Sequence, residues 1–417
     1  MLKPKLVSLI KHKNYSVAQF YADVTAGIIV GIVALPLAIA FAIASGVSPE
    51  KGLITAIIGG IIVAVLGGSR VQIAGPTGAF VVLVYGIVHK FGLEGLYVAT
   101  LSAGVLLIIL GLLRVGSLIE HMPHPVITGF TSGIAVIIFS SQIKEFLGLN
   151  MGTVPAEFFQ KWIEYFRHAA TINPAAVLIS AGTIILTVFW KRLKTKLPGP
   201  LVVLVLATVV VHVFGLHVET IGSRFGEIPH AFPPPAIPVI NLDILIPLIP
   251  SIIAIALLAG IESLLSAVVA DKMIQGKHRP NMEFIAQGVA NIMSPIFGGI
   301  PVTGAIARTA TNVNSGGRTP VSGIVHSVFL LLVMLFMIGL VKFIPLACLS
   351  GILVMVAYNM SEWRPFLKML NESGNDKYIL VGTFIMTVAV DLTAGILTGV
   401  FLAVVLRSRF VTGNSVK

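Results

Sequence analysis

Two ionisable residues of opposite charge lie within long apolar stretches of the chain. Glu262 lies in LLAGIESLLSAVVAD, and Arg308 follows GGIPVTGAIA. An ionisable side chain at membrane depth costs about 2.5 to 3.5 kcal/mol on insertion scales, so each residue is a candidate for function. Arg308 could bind an anion, while Glu262 could pair with Arg308 or take up a proton, because desolvation disfavours a charged carboxylate. The structural alternatives are an arginine that snorkels or ties two segments together, and an acid buried without a chemical role.

Arg308 belongs to one of two similar segments that are punctuated by glycine. They are GGSRVQIAGPTGAF at 67–80 and GGIPVTGAIARTATN at 298–312. Each places Gly, Pro and Thr within apolar sequence, which is typical of non-helical backbone at membrane depth. Interrupted apolar segments at corresponding positions in two halves of a chain indicate the binding site of a transporter.

Both segments are predicted to run extended and then to become helical. Residues 72–74 precede a Gly-Pro-Thr helix start at 75–77, with proline in the first turn. Residues 300–303 precede a helix that is predicted to start at Gly304. Two such half-helices, entering from opposite sides, would aim their positive N-terminal ends at one point near the bilayer midplane. Unsatisfied N–H groups, two helix dipoles and the Arg308 guanidinium would make that point an anion site.

The composition places these segments in a membrane. Apolar residues make up 56% of the 417 residues, charged residues make up 11%, and the mean hydropathy is +0.99. These values are typical of an all-α polytopic membrane protein. About fourteen stretches are long enough to span a bilayer, counting shorter ones that Gly and Pro interrupt. They are predicted at 22–45, 52–67, 71–88, 95–114, 125–147, 173–190, 198–216, 245–270, 282–297, 301–313, 320–341, 345–361, 377–391 and 392–409.

The spans fall into two similar halves. The glycine pairs begin at positions 67 and 298, which are 231 apart, and AGIIVGIVAL and AGIESLLSAV begin at 26 and 259, which are 233 apart. Seven spans in each half force the halves into opposite orientations, so a 7+7 inverted repeat is predicted. The predicted parts are a cytoplasmic arm (1–21), a first repeat (22–220), a proline-rich external linker (221–244), a second repeat (245–410) and a cytoplasmic tail (411–417).

The net charge of +11 is scattered along the chain, which argues against nucleic-acid binding. With fourteen spans and a cytoplasmic N-terminus, twenty of the 28 Lys and Arg residues fall inside and seven outside. This positive-inside bias predicts that both termini are cytoplasmic, in the inner (plasma) membrane of a bacterium. Ten histidines without metal-ligand spacing and one cysteine, Cys348, favour no metal, cofactor or internal disulfide.

One stretch outside the spans is predicted to be an amphipathic helix. PAEFFQKWIEYFRHAA, at 155–170, places apolar side chains at helical spacing, which favours an interfacial helix. The alternative is a gating lid. Three further acids are predicted to have no chemical role: Asp391 as a helix N-cap, and Asp23 and Asp271 as solvated residues at span ends.

At these residues the chain resembles the sulfate permease (SulP) family of anion transporters. QIAGPTG, IESLLSAVVAD and GGIPVTGAIARTATN carry the likeness, which extends from Asp23 to Leu406. The resemblance implies the fold of uracil permeases, with a core domain (22–114 and 245–341), a gate domain (125–216 and 345–410), a homodimer and elevator-like movement of the core. It also implies proton coupling at Glu262 and substrate contact at Phe41, Gly75, Pro76, Thr77, Gly78, Glu262, Thr303, Gly304, Ala305, Ile306 and Arg308.

The chain departs from the family pattern in two respects. Members typically continue into a cytosolic STAS domain, whereas this sequence stops at Lys417, so either regulation through that domain is absent or the domain was removed from this sequence. Many members have hydroxyls where this chain has Ala305, Ile306 and Ala307. Sodium-coupled bicarbonate members have Asp at the position of Glu262 and Thr at that of Ile306, so GAIARTATN looks more like members that carry C4-dicarboxylates with protons.

The predicted function is secondary active transport of an anion: proton-coupled symport of a C4-dicarboxylate such as fumarate, or of sulfate. A bicarbonate transporter and a passive anion channel are the alternatives. A channel could not accumulate a dianion against 100 mV, inside negative, because entry costs about 4.6 kcal/mol. A nucleobase permease is less favoured, because binding a neutral ring needs an acid on the tenth span as well as the eighth, and the tenth span has Arg308 and no acid. An enzyme is also disfavoured, because the sequence shows no nucleophile–base pair at membrane depth.

Overall fold

A computed structural model describes residues 2–12, 15–119, 123–152, 154–155, 157–190, 192–193, 198–229, 231–239, 242–372, 374–390 and 392–413. Helices make up most of this part of the chain. In the first half they are α1 (Lys5–His12), α2 (Val17–Ala44), α3 (Pro49–Leu66), α4 (Gly78–Leu112), α5 (Gly116–Ile119), α6 (His124–Leu147), α7 (Phe158–Arg167), α8 (Pro174–Trp190) and α9 (Gly199–Val213).

The second half of the chain contains ten further described helices. Its helices are α10 (Ile221–Phe225), α11 (Leu242–Ile274), α12 (Pro280–Ile296), α13 (Ile306–Asn314), α14 (Pro320–Phe336), α15 (Ile338–Val341), α16 (Leu346–Met360), α17 (Trp363–Asn371), α18 (Asp376–Ala389) and α19 (Leu392–Gly413). Two strands of two residues each, β1 (Ala74–Gly75) and β2 (Thr303–Gly304), lie just before α4 and α13.

The predicted spans correspond to helices with small shifts at their ends. Six described helices are apolar and long enough to cross a bilayer, and four shorter apolar helices accompany them. Spans three and four correspond to two helical segments within α4, which are separated by non-helical backbone at Gly92, where φ is 70°. Spans thirteen and fourteen, which adjoin in sequence, are separate helices on either side of position 391; the predicted N-cap Asp391 itself lies outside the described residues.

The long helices pack in two groups. Helices α2, α3, α4, α11, α12, α13 and α14 contact one another, and α6, α8, α9, α16, α18 and α19 do the same. The groups meet where α4 packs against α6 and α16, where α2 packs against α9 and α16, and where α11 packs against α19. Small residues allow close approach in the first group: a Cβ on Gly52 of α3 would lie 2.0 Å from the carbonyl oxygen of Ala38 on α2. Such crossings are typical of helices that pack in a membrane.

Strands β1 and β2 pair antiparallel, with Ala74 opposite Gly304 and Gly75 opposite Thr303. The prediction of extended backbone followed by a helix is confirmed for both segments, but both predicted helix starts are wrong. Helix α4 begins at Gly78 and α13 at Ile306, because strand pairing keeps Gly75 and Gly304 extended. Pro76 therefore precedes α4 and is not in its first turn.

The prediction that Asp23 is solvated is wrong. Its carboxylate is fully buried and accepts hydrogen bonds from the backbone N–H of Arg318 at 2.8 Å and from Thr319 Oγ1 at 2.6 Å. These bonds join the start of α2 to the N-terminus of α14. Asp271 accepts from His278 Nδ1 at 2.7 Å, so it also has a structural partner.

Substitution of Gly52 tests the α2–α3 contact that supports Phe41 and β1. Gly52→Ala places a methyl group against the backbone of α2, which cannot move as a side chain can, so we expect a loss of about 1 to 3 kcal/mol in stability. Thermal unfolding of the purified protein in detergent measures it. Gly86→Ala on α4 is the matched control, because its Cβ would meet no atom within 4 Å. Equal melting temperatures for the two variants would contradict the assigned contact.

Candidate anion-binding site

The centre of the candidate site is the crossing of β1 and β2. Beyond the paired residues, the N–H of Ala305 donates to the carbonyl oxygen of Ile73 at 2.9 Å. Helix α11 supports the crossing through Ser263, whose hydroxyl accepts from the N–H of Gly304 at 3.0 Å. Gln72 donates to the carbonyl oxygen of Ser263 at 3.2 Å. The two short strands leave part of their buried backbone without a strand partner. Side chains provide the missing hydrogen bonds, because buried N–H and C=O groups need partners.

Two helices begin at this crossing without a side-chain cap. Thr77 holds the N-cap position of α4 and Ala305 that of α13, and neither side chain bonds to its own helix. The first turns therefore keep N–H groups free of intrahelical partners. Because the positive ends of two helix dipoles converge here, the local field favours an anion.

Arg308 provides the full positive charge of the site. It is only 2% exposed, and its Nη2 donates to the carbonyl oxygen of Pro76, which joins the two segments. Its Nη1 has no hydrogen-bond partner among the described residues. The guanidinium lies against Gly75, where a Cβ would be 2.7 Å from Nη1 and where φ is 152°, so glycine is required there. Arg308 thus ties the segments together and still has donors for a ligand.

Glu262 faces the same region from α11. It is partly buried, and its Oε2 accepts a hydrogen bond from Thr77 Oγ1 at 2.8 Å. Among the described residues, Arg308 has no carboxylate oxygen within 4.0 Å, so Glu262 does not neutralise it by direct contact. Within the described residues, Arg308 therefore contacts no acid, and Glu262 accepts one hydrogen bond, from Thr77.

The other predicted site residues lie around this crossing, but with different roles. Phe41 of α2 packs against Gly78 at the start of α4, and Ile306 is 40% exposed at the start of α13. Thr303 is fully buried; its hydroxyl donates to the carbonyl oxygen of Ala259 at 3.0 Å and lies 3.0 Å from Ser263 Oγ. The Thr303 side chain therefore supports β2 and is not free to contact a ligand.

Several supporting residues were missed from the sequence. Thr309 accepts from the N–H of Ile73 at 3.0 Å, and Asn312 donates to the carbonyl oxygen of Val71 at 2.8 Å. Asn291 of α12 bonds both backbone groups of Val302, at 2.8 and 2.9 Å. The available signal was the presence of hydroxyl and amide side chains within apolar spans, where an unpaired polar group is costly.

The sequence matches the profile of the sulfate permease family over residues 20–383. The chain belongs to the sulfate permease family. It is therefore an integral membrane protein of a family of anion transporters, and no enzyme activity is expected from that membership.

Similar proteins extend this assignment. YvdB of Bacillus subtilis, named as a candidate sulfate transporter, is 46% identical over 396 residues, which are 95% of this chain and 75% of YvdB. The bicarbonate transporter BicA of Picosynechococcus is 35% identical over 397 residues, 92% of this chain and 69% of BicA. The solved transmembrane domain of a cyanobacterial BicA superimposes with a TM-score of 0.82 at 33% identity, covering 91% of this chain and 97% of that domain.

Removal of the Arg308 charge should impair anion transport. We expect Arg308→Ala to lower initial anion uptake at least about tenfold, because a buried charge-assisted contact is lost. Arg308→Lys should be intermediate, because lysine keeps the charge but loses the planar fork that suits oxyanions. Uptake by proteoliposomes measures both variants. The control is Arg70→Ala, an exposed arginine of the first glycine segment. Wild-type affinity and rate in Arg308→Ala would refute the assignment.

Proposed function

We propose that the chain carries a small dianion together with protons, and that the dianion is a C4-dicarboxylate such as fumarate, or sulfate. The observation that supports this most is the environment of Arg308: a buried guanidinium with an unpartnered Nη1, no contacting carboxylate in the described chain and two helix N-termini beside it. Such a site favours an oxyanion whose oxygens can accept from several donors.

Glu262 couples the proton to the anion in this proposal. With Glu262 ionised, its negative charge weakens the positive potential that Arg308 creates in the site, although the two groups are not in contact. Protonation of Glu262 leaves Arg308 uncompensated, so the anion binds more tightly. Binding free energies are reciprocal, so a bound anion must in turn favour protonation. The hydrogen bond from Thr77, which begins α4, links the charge state of Glu262 to the helix end that faces the anion.

Bicarbonate is the second candidate substrate. The identity of 35% to BicA over most of the chain favours it. Ile306 and Glu262 favour a proton-coupled carrier instead, because the sodium-coupled bicarbonate members described above have a threonine and an aspartate there. A passive channel fits less well, because it could not accumulate the anion, whereas Glu262 offers a candidate proton site. A nucleobase permease fits less well, because α13 (IARTATNVN) offers Arg308 and no acid.

The packing supports a 7+7 inverted repeat and elevator movement. Helix α3 packs against α14 as α12 packs against α4, and α8 packs against α16 as α18 packs against α6. In each pair of contacts, the second contact joins the helices that correspond to those of the first when the two proposed repeats are interchanged. We assign the first helix group to the core domain and the second to the gate domain. Phe41, with Ile138 and Met360 of the gate, closes one side of the site at Gly78, while Ile306 is exposed on the other.

The proposed carrier is a homodimer in the plasma membrane with both termini in the cytoplasm. The positive-inside distribution of Lys and Arg supports this orientation. The exposed face of Ile306 then opens toward the cytoplasm, and the Phe41 side faces outward.

Uptake by proteoliposomes of labelled fumarate, sulfate and bicarbonate, with and without a pH gradient, tests the function. Accumulation of fumarate or sulfate that requires an inward proton gradient supports the proposal. Accumulation of bicarbonate alone would move the assignment to the second candidate. Equilibration without accumulation under any gradient would indicate a channel.

Substitution of Glu262 tests the coupling. Glu262→Gln keeps the shape and hydrogen bonding but cannot change charge, so we expect anion exchange to persist while stimulation by a pH gradient is lost. Glu94→Gln is the control, because Glu94 is exposed. Undiminished proton-driven uptake in Glu262→Gln would assign coupling to another acid, with Asp391 the next candidate.

Transport should not require sodium. Sodium is a hard cation that needs several oxygen ligands, and the Ile306 side chain at the site offers none. Replacing sodium with choline at fixed pH and membrane potential should leave initial uptake unchanged, with a rate that rises as external pH falls. A several-fold loss of uptake in choline would contradict proton coupling.

A further inference from the structure

A second cation faces a separate cavity at the end of the molecule opposite the N-terminal arm. This cavity of about 530 Å³ lies between the two helix groups and includes Ala40 of α2, Val81 of α4 and Leu353 of α16 in its lining. Its charged lining residues are Lys144, Glu145, Lys161 and Arg224. Neither Glu262 nor Arg308 lines it, so it is distinct from the site at the strand crossing.

The cations of this cavity differ in how they are paired. Arg224 donates to both oxygens of Glu145, at 2.6 and 3.1 Å, and also to Glu219. Lys144 donates to the carbonyl oxygen of Gly152 at 3.0 Å. Lys161 is 3% exposed, and within the described part of the chain its ammonium has neither an acid nor a hydrogen-bond acceptor. The side chain is otherwise buried and lines the cavity, so an anion in the cavity could provide the partner that the protein does not.

Helix α7 places its apolar side chains outward and buries Lys161 on its inward face. Its apolar side chains point outward, with Phe159 63% exposed and Phe166 74% exposed, as for a helix whose outer face contacts lipid. Its inward face carries Lys161 and, one turn later, Tyr165, which is 4% exposed. The Tyr165 hydroxyl also has no partner among the described residues. Two polar groups without acceptors are therefore buried one turn apart on the same helix.

The nearest aromatic ring to Lys161 cannot replace an anion. The ammonium lies 5.9 Å from the centroid of the Tyr85 ring, a cation–π contact, which is weaker than a charge-assisted hydrogen bond to an oxyanion. Burial lowers the pKa of Lys161 to about 8. Burial also raises the pKa of Tyr165, so this phenol stays neutral and can donate.

We propose that Lys161 forms an outer anion-binding station in this cavity, which holds the substrate oxyanion before it passes Phe41 to reach Arg308. The floor of the cavity supports this order, because Ala40 lines the cavity and is followed in sequence by Phe41, which closes the site at Gly78. The station rests on the proposed function for its orientation and its ligand. The proposal therefore predicts that a change at Lys161 alters the binding of external anion and leaves the binding of internal anion unchanged.

The first test compares the two sides. Lys161→Met keeps the length of the side chain and removes its charge, so the KM for external anion should rise about tenfold, with kcat and the KM for internal anion unchanged. Intact cells measure the external KM and inside-out vesicles measure the internal one, with the anion that the wild type carries. Lys161→Arg should restore the external KM. Lys90→Met, at an exposed lysine, should have no effect. An unchanged external KM in Lys161→Met, or an equal rise on both sides, would overturn the station.

The second test uses external pH and does not depend on the methionine variant. The lysine is charged below its pKa and neutral above it, so the wild-type external KM should rise from pH 7 to 9, while Lys161→Arg stays flat. An equal rise in Lys161→Arg would assign the pH dependence to another group. The titratable groups around Lys161 are Tyr85 and His89 of α4, Lys144 and Glu145 of α6, Arg224 of α10, and Glu157, Glu164, Tyr165 and His168 on or beside α7. Helix α18 meets α7 near Val388, and its charged residues, Asp376 and Lys377, lie at the other end.

A binding measurement separates this proposal from the proposed function. Trp162 is adjacent to Lys161 and is one of three tryptophans, so Trp190→Phe with Trp363→Phe leaves it as the only indole reporter. Titration of sulfate, bicarbonate and fumarate in detergent should change Trp162 fluorescence, and Lys161→Met should abolish the change. If the wild type transports none of these anions but binds one in this way, the proposed function fails and the station stands. Transport without any Lys161-dependent signal would overturn the station alone.

Discussion

The site depends on two backbone segments that pair with each other inside a bundle of apolar helices. Two strands of two residues satisfy only a few of their own N–H and C=O groups. Irregular backbone at membrane depth is tolerated only when protein groups supply the missing bonds. Here Ser263, Asn291 and Asn312 supply them from α11, α12 and α13. Removing any of these side chains leaves backbone unpaired in an apolar surrounding, so the surrounding helices specify the crossing as much as the strands do.

This pairing also explains why a cation and a glycine are placed together. Because β1 and β2 are antiparallel, the start of α4 and the start of α13 lie on either side of the same pair of strands. Arg308, in the first turn of α13, can then reach the carbonyl oxygen of Pro76 before α4. A side chain at Gly75 would occupy the position of its Nη1. Residues from both halves of the chain therefore position the Arg308 guanidinium, and the backbone at Gly75 and Pro76 fixes the direction of its unpartnered Nη1.

The sequence predicted the elements better than their ends, for physical reasons. Apolar length determines which stretches span a bilayer, so the predicted spans correspond to helices. The predicted starts of α4 and α13 are too early, because glycine and proline are local helix signals, whereas pairing with a strand about 230 residues away keeps this backbone extended. The burial of Asp23 depends on Thr319, 296 residues further along. A single sequence carries no sign of such a distant partner.

The two cations belong to different moving parts under the proposed mechanism. Arg308, Glu262 and Thr77 lie on α13, α11 and at the start of α4, all in the first helix group, whereas α7, which carries Lys161, packs against α6 and α18 of the second. Phe41 and Ile138 close the path between them and come from one group each. Movement of one group relative to the other would therefore separate these side chains and change the distance between Arg308 and Lys161. An anion held at Lys161 would stay with the gate, and one held at Arg308 would travel with the core, so transfer between the cations would be the step that commits the anion to transport.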